Sequence, residues 1–262
     1  MQLFFGFLAG VFIAFAAWRL GALALDGAAA AAVMGGMIFG LGGWRWAALL
    51  LAFFISSSLL SKAFARRKTA LDEKFSKGSR RDAGQVLANG GLGILFVLAY
   101  TLWPQPWLWL AFAGAMASVN ADTWATEIGV LSKAAPRLIT TGRPVERGTS
   151  GGVSWLGLGA AVGGALFIGG LASLLDGTSY SWLAAGLGGL LGSLFDSFLG
   201  ATLQAIYFCP ACQKETERSP LHPCGATTVP LRGLSWLDND WVNGLASLFG
   251  ALVSVGLWRL LA

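Results

Sequence analysis

Between Ser118 and Gly152 the chain places Asn120, Asp122 and Glu127 at the end of an apolar run. Lys133, Arg137, Arg143 and Arg147 follow, and the stretch closes on Gly148-Thr149-Ser150-Gly151-Gly152. Carboxylate oxygens are the usual protein ligands of Mg²⁺. Guanidinium forks, and N–H groups at a Gly-rich helix start, are what phosphate groups fit. The chemistry implied is a divalent cation and a chain of phosphates held together at a membrane boundary. At about 100° per residue, Asn120, Thr123 and Glu127 share one helical face and Asp122 and Thr126 another. A regular helix then does not aim both carboxylates at one ion. Either the helix breaks near Asn120, or one acid binds metal while the other holds a partner. The plainer alternative is that both acids pair with loop arginines. Thr149 or Ser150 is expected to cap the next helix, with an anion site or a plain close-packed turn as the two readings.

Further candidates lie downstream. Ser193, Asp196, Ser197, Gly200 and Gln204 form a polar stripe on one face of an otherwise apolar span. A carboxylate there is costly unless it meets a partner or lines a polar cavity. The stretch Trp236-Leu237-Asp238-Asn239-Asp240-Trp241-Val242-Asn243 opens the last span, where Asp238 suits a helix cap and Asp240 and Asn243 are candidate ligands. Gln85 and Asn89 enter the membrane one turn apart at the start of another span. All the Cys and the lone His fall within sixteen residues: Cys209, Cys212, His222 and Cys224. Cys-x-x-Cys with a later His and Cys supplies four ligands for a tetrahedral Zn²⁺. The alternative is a metal-free thiol role. Either way the loop is read as structural.

The elements that position these residues follow from composition. Of 262 residues, 55% are hydrophobic and 12% charged, against roughly 25% charged in soluble domains. This is the composition of an integral membrane protein, all-α and polytopic. The 37 Gly and 12 Trp suit close helix packing and interfacial anchoring. Met1-Gln2-Leu3-Phe4-Phe5 has no basic segment, so no cleavable signal peptide is expected. At about 20 apolar residues per crossing, eight spans are expected, at about 3–20, 25–43, 44–61, 86–103, 107–128, 151–174, 181–208 and 241–261. They form one membrane domain around a polar cavity, with a Cys/His loop at 206–240.

With eight spans, sixteen of the eighteen Lys and Arg fall on one side and two, Arg45 and Arg259, on the other. The basic side is expected to be the cytoplasm, which puts both termini outside and every motif above near the cytosol, in the inner membrane of a prokaryote. Nothing points to a nucleic-acid polymer as partner.

The residues from Lys74 to Gly91, the run Asn120-Ala121-Asp122-Thr123-Trp124-Ala125-Thr126-Glu127-Ile128-Gly129, the Gly148–Gly152 turn, Asp196-Ser197 with Gln204, and the Cys-x-x-Cys loop resemble the pattern of the phytyl-phosphate kinase and transmembrane-protein-nineteen membrane family. Plant members make an isoprenyl diphosphate from the monophosphate. The layout is also distantly similar to phosphatidate cytidylyltransferases, dolichol kinases and phytol kinases, which bind divalent metal and CTP. Asp122, Lys133, Arg143, Gly148–Gly152, Asp196 and Asp238/Asp240 stand in that order here. The chain departs from the cytidylyltransferase pattern in having one Asp in span seven and no Lys-Arg pair after it.

The resemblance implies a membrane kinase that phosphorylates an isoprenyl (phytyl-like) monophosphate with a Mg²⁺–nucleoside triphosphate, CTP or another. Asp122, Asp196, Glu127 and Asp240 would hold Mg²⁺. Arg143, Arg147, Lys133 and the Gly148–Gly152 turn would hold phosphates. Asn89, Asn120, Gln204 and Asn243 would orient ligands. The rival readings are a transporter or flippase of a phosphate-bearing lipid or ion, and a lipid cytidylyltransferase.

Overall fold

The computed structural model describes the backbone of residues 1–68 and 80–261, and the side chains of all these but 65–68 and 261. Arg66, Arg67, Lys68, Lys74 and Lys77, five of the eight basic residues in the run from Lys62 to Arg81 that falls on the expected basic side, therefore fall outside the described side chains. Among the described residues, eight long helices make up the bundle: α1 (Gln2–Arg19), α2 (Leu25–Gly42), α3 (Trp44–Lys68), α4 (Ala83–Leu102), α5 (Pro106–Gly129), α6 (Trp155–Asp176), α7 (Ser181–Thr202) and α8 (Asn239–Leu261). Seven are long and apolar enough to cross a membrane, and α5 is not among them. The reason is its place. α5 packs against α3, α4, α6, α7 and α8, and every residue from Leu108 to Ala121 is buried. A helix sheathed by protein rather than lipid carries Asn120 and Asp122 at less cost than a lipid-facing one.

The expected spans 25–43 and 44–61 are joined by a tight turn at Gly42-Gly43. Gly43 takes φ +82° between α2 and α3, a conformation that favours glycine. Around α5 the helices approach at small residues. A Cβ on Gly114 or Gly188 would collide with the Ser254 side chain, and one on Gly250 would stand 2.9 Å from Ser118 Cβ. Ser118 Oγ donates to the Ala246 carbonyl at 3.1 Å, tying α5 to α8. Such contacts substitute for the hydrophobic drive that lipid does not supply.

The α1–α2, α5–α6 and α7–α8 connections and residues 80–82 ahead of α4 gather at one end. Ala24 N donates to the Arg81 carbonyl and Arg81 N to the Ala22 carbonyl, joining the α1–α2 turn to the segment before α4. The opposite end has the short turns at Gly43, 103–105 and 177–180. It is pinned by aromatics, with Trp46 against Tyr100 and Trp109, and by Trp109 Nε1 donating to Asp176 Oδ2 at 2.9 Å.

Two expectations about boundaries are corrected. Span seven does not run to 208: α7 stops at Thr202, and 206–209 forms a strand. Span six does not open on the Gly-rich turn. Ser154 caps α6, accepting from Gly157 N at 3.1 Å, while Gly152–Val153 is a strand, β2, antiparallel to β1 (Arg137–Leu138). A Thr or Ser can cap only where the chain turns helical, and here pairing with β1 keeps it extended. Replacing Ser154 by Ala is expected to cost about 1 kcal/mol, measured as a lower thermal midpoint in detergent.

Candidate functional site

At the loop-rich end a cavity of about 610 Å³ opens between α5, α6, α7 and the connecting segments, a size suited to a small-molecule ligand. α5 brings Asp122, Thr126 and Glu127 to it, and α7 brings Ser193, Asp196, Ser197 and Gly200. α4 adds Gln85 and Asn89, and α8 adds Asn239 and Asn243. Arg147 and the whole Gly148–Gly152 turn form the wall on the side of the connecting loops. The polar stripe read from span seven is therefore a cavity wall in full, Gln204 included.

α5 remains helical through Gly129, so of the two alternatives the break near Asn120 does not occur. Asp122 and Glu127 nevertheless reach one cavity, because it wraps around the exposed end of α5. Asn120 does not line it. Its Nδ2 donates to the Gly164 carbonyl at 2.8 Å and its Oδ1 accepts from Ser56 Oγ at 3.0 Å, so it joins α5 to α6 and α3 rather than orienting a ligand. Glu127 accepts from Ser61 Oγ at 2.6 Å.

Asp196 lies six residues from the end of α7, less than two turns, and not the three inferred from a helix ending at 208. Its Oδ2 is buried with no hydrogen-bond partner among the described residues, while Asp122 and Glu217 stand close enough to act on it electrostatically. A divalent cation beside Asp196 would relieve that like charge, and Asp122, Asp196 and Glu217 are the residues that would hold it.

Glu217 is the residue that the sequence reading missed. It comes from the Cys/His loop, which folds as a three-stranded sheet in the order β4-β3-β5, with β3 (Ile206–Cys209), β4 (Lys214–Thr216) and β5 (Val229–Arg232). Glu217 Oε1 accepts from Ser150 Oγ at 2.8 Å and from Gln204 Nε2 at 2.9 Å. Gln204 and Ser150 thus orient a carboxylate, rather than offering those groups to phosphate. The loop is not structural only, since it delivers an acid to the cavity. Arg232 Nη1 donates to the Gly200 carbonyl at 2.9 Å, and Leu234 N to the Leu203 carbonyl, fastening the sheet to the end of α7.

Other expected ligands lie elsewhere. Lys133 and Arg143 are exposed and do not line the cavity; Lys133 offers its carbonyl to Arg147 Nη2 at 3.2 Å. Asp240 is also outside the lining, one residue past Asn239. Asp238 caps α8, accepting from the backbone N of Asp240 and Trp241. Within the Gly-rich turn, Thr149 N donates to the Glu146 carbonyl and Gly152 N to that of Thr149, so those two groups serve the turn itself. Gly151 has φ +81°, and a Cβ there would stand 2.5 Å from the Ala201 backbone. Gly151→Ala is expected to cost about 2 kcal/mol or more from the strained backbone and the clash, read as a lower thermal midpoint. Arg81, counted only within a basic run, also lines the cavity. The Asp82-x-x-Gln85 capping box that follows it marks where that run meets the membrane, and could have singled it out.

Cys209, Cys212, His222 and Cys224 come together with all ligand atoms within 4.8 Å of one another. Cys209 Sγ lies 3.6 Å from Cys224 Sγ, and His222 Nδ1 is 3.6 Å from Cys212 Sγ and 3.2 Å from Cys224 Sγ. Ligands about 2.0–2.3 Å from a tetrahedral centre stand about 3.3–3.8 Å apart, so the donor set and spacing fit Zn²⁺. The Cys224 thiol is lowered to about 6 by the Ala226 backbone N–H and by His222, which favours the metal-binding thiolate. The Cys212 thiol is pushed up to about 11, first by its hydrogen bond to Cys224.

A family model described as integral membrane protein DUF92 matches residues 8–251, a span that contains the whole cavity and the Cys/His sheet. The chain belongs to the DUF92 family. Over 280 aligned residues this DUF92 protein is 36% identical to Protein PGR of Arabidopsis thaliana, covering 97% of this chain and 95% of that one. It is 33% identical to the uncharacterized membrane protein MJ0933 of Methanocaldococcus jannaschii, over 88% of this chain and 83% of the other. It is 25% identical to Protein VTE6, chloroplastic, of Arabidopsis thaliana, over 89% of this chain and 64% of that protein. No solved structure matches it.

Proposed function

We propose that this DUF92 protein is a membrane kinase that transfers the γ-phosphoryl group of a Mg²⁺–nucleoside triphosphate, CTP or another, to an isoprenyl (phytyl-like) monophosphate, giving the diphosphate. The observation that carries this reading is the convergence of Asp122, Asp196 and Glu217 with Arg147 and the Gly148–Gly152 turn around one cavity at the membrane boundary. The resemblance of the same motifs to the phytyl-phosphate kinase pattern supports it.

An oxygen of the acceptor phosphate attacks the γ-phosphorus, and the bond to the β–γ bridging oxygen breaks, releasing a nucleoside diphosphate. The acceptor is already an anion, so the site needs no strong base. Its work is positioning and charge neutralisation. Asp122, Asp196 and Glu217 would hold Mg²⁺, which supplies charge stabilisation for the phosphates when bound. Ser150 and Gln204 fix the Glu217 carboxylate. Arg147 is a phosphate contact from the cavity rim. Asn239 and Asn243 present amides from α8.

Purified protein given labelled nucleoside triphosphates and a panel of isoprenyl monophosphates is expected to form the diphosphate in a Mg²⁺-dependent way. Absence of transfer with every nucleotide overturns the kinase, and nucleoside label appearing in the lipid replaces it by cytidylyl transfer. The cavity end is the cytoplasmic one in this reading. A Cys added at position 177 is then expected to react in intact cells with an impermeant reagent, and one at 140 to be shielded. The reverse pattern inverts the topology.

A further inference from the structure

A narrow apolar crevice of about 60 Å³ opens off the cavity between α1, α2, α3 and α4. Ala14 and Ala17 wall it from α1, Ala31 and Met34 from α2, Leu50 and Phe53 from α3. Arg81, Gln85 and Asn89 line both spaces, and every other crevice residue is apolar. A polar chamber and an apolar slot thus meet at a border that includes Arg81, an arrangement that suits an amphiphile with an anionic head.

We propose that the crevice receives the head-proximal part of a single-chain lipid phosphate whose phosphate is held by Arg81 at the mouth. This rests on the kinase reading and locates its acceptor. Arg81 is set in place from several directions. Its backbone is bonded to Ala22 and Ala24 in the α1–α2 turn. The α2 backbone passes so close at Gly27 that a Cβ there would collide with the Arg81 carbonyl. Its guanidinium donates from Nη1 to Ser58 Oγ at 3.1 Å and lies 5.7 Å and 5.8 Å from the Phe53 and Phe54 ring centres. Aromatic contacts fix the plane of the fork, and a fixed fork suits a phosphate's paired oxygens. Glu127 stands near enough to act on that charge from the cavity side, so Arg81 couples the crevice mouth to the acidic end of α5.

The direction of the crevice also suits a lipid. Ala31 lies six residues into α2, about 9 Å below its start at 1.5 Å per residue, so the crevice descends from the boundary toward the membrane interior. At about 60 Å³ the crevice has room for part of one chain. A two-chain glycerolipid phosphate has the same head but not the same cross-section.

The test uses the full-length protein in detergent without nucleotide, and a phytyl monophosphate analogue carrying a diazirine near the phosphate. Adducts are expected on peptides containing 13–17, 31–34 or 50–54. Unlabelled phytyl monophosphate should compete for them, and dioleoyl phosphatidate should not. Arg81→Ala is expected to lower labelling on the order of tenfold, with Arg81→Lys between it and wild type. Ala31→Phe, which fills the crevice, should lower labelling while leaving binding of inorganic phosphate unchanged. The wild-type adduct map needs no variant to fold, and adducts confined to α6 and α7 overturn the proposal, as does equal competition by phosphatidate. Crevice labelling without phosphoryl transfer sinks the kinase and leaves this site standing. Transfer with adducts elsewhere does the opposite.

Discussion

Asp196→Asn is expected to lower Mg²⁺-dependent phosphoryl transfer on the order of 10²-fold or more, with the protein still folded. The substitution keeps size and shape but removes the charge of the one carboxylate in α7. Asp196 Oδ2 is buried without a hydrogen-bond partner among the described residues, and Asp122 and Glu217 add like charge to its surroundings. A side chain held at such cost serves the cation rather than the fold, so neutralising it should leave the thermal midpoint unchanged or higher. Losing a metal ligand, by contrast, removes charge stabilisation that commonly carries effects of this size. Asp122→Asn should behave alike. The pair should be far from additive, since either loss disables the same ion. Measured as label transfer to isoprenyl monophosphate across Mg²⁺ concentrations, full activity in either variant removes these residues from the metal site.

Cys209→Ser is expected to lose bound zinc, to unfold at a lower temperature and to lose turnover, all together. Cys209 closes β3, and Glu217 follows β4 directly in the same small sheet. That sheet is held at its tip by the four-ligand cluster and at its base by Arg232 and Leu234 against the end of α7. Zinc in such a site contributes folding energy outright. Without it the hairpin no longer holds Glu217 against Ser150 and Gln204. Glu217→Gln separates the two effects, because it should keep about one zinc per chain and the wild-type thermal midpoint while turnover falls. Wild-type stability in Cys209→Ser, with no metal in the purified protein, rejects zinc. Full turnover in Glu217→Gln rejects the delivered carboxylate.

Much of this molecule was legible in the sequence because lipid imposes a strict length and polarity on each span. Apolar runs of about 20 residues gave eight helices, and Gly42-Gly43 gave the tight turn. The stripe from Ser193 to Gln204 could be read as a cavity wall because helical periodicity places those residues on one face whatever lies opposite. The Cys/His ligands could be paired because their spacing is itself the signature.

What tertiary structure alone decided is which polar groups meet. Periodicity assigns Asp122 and Glu127 to different faces of α5, yet both border one cavity, because the end of that helix projects into it. Asn120 is as polar as its neighbours, but the packing of α3 and α6 spends it on Ser56 and Gly164. Lys133 and Arg143 carry the right charge in the right loop, and the pairing of β1 with β2 leaves them outside. Glu217 sits in a hairpin with no local mark of function, and a fold that closes the sheet onto α7 carries it to Asp196. The sequence by itself determined the class of the protein and its helices, since those depend on composition and local spacing. The membership of the site depended on contacts between residues as far apart as Ser61 and Glu127 or Ser150 and Glu217, which no local pattern encodes.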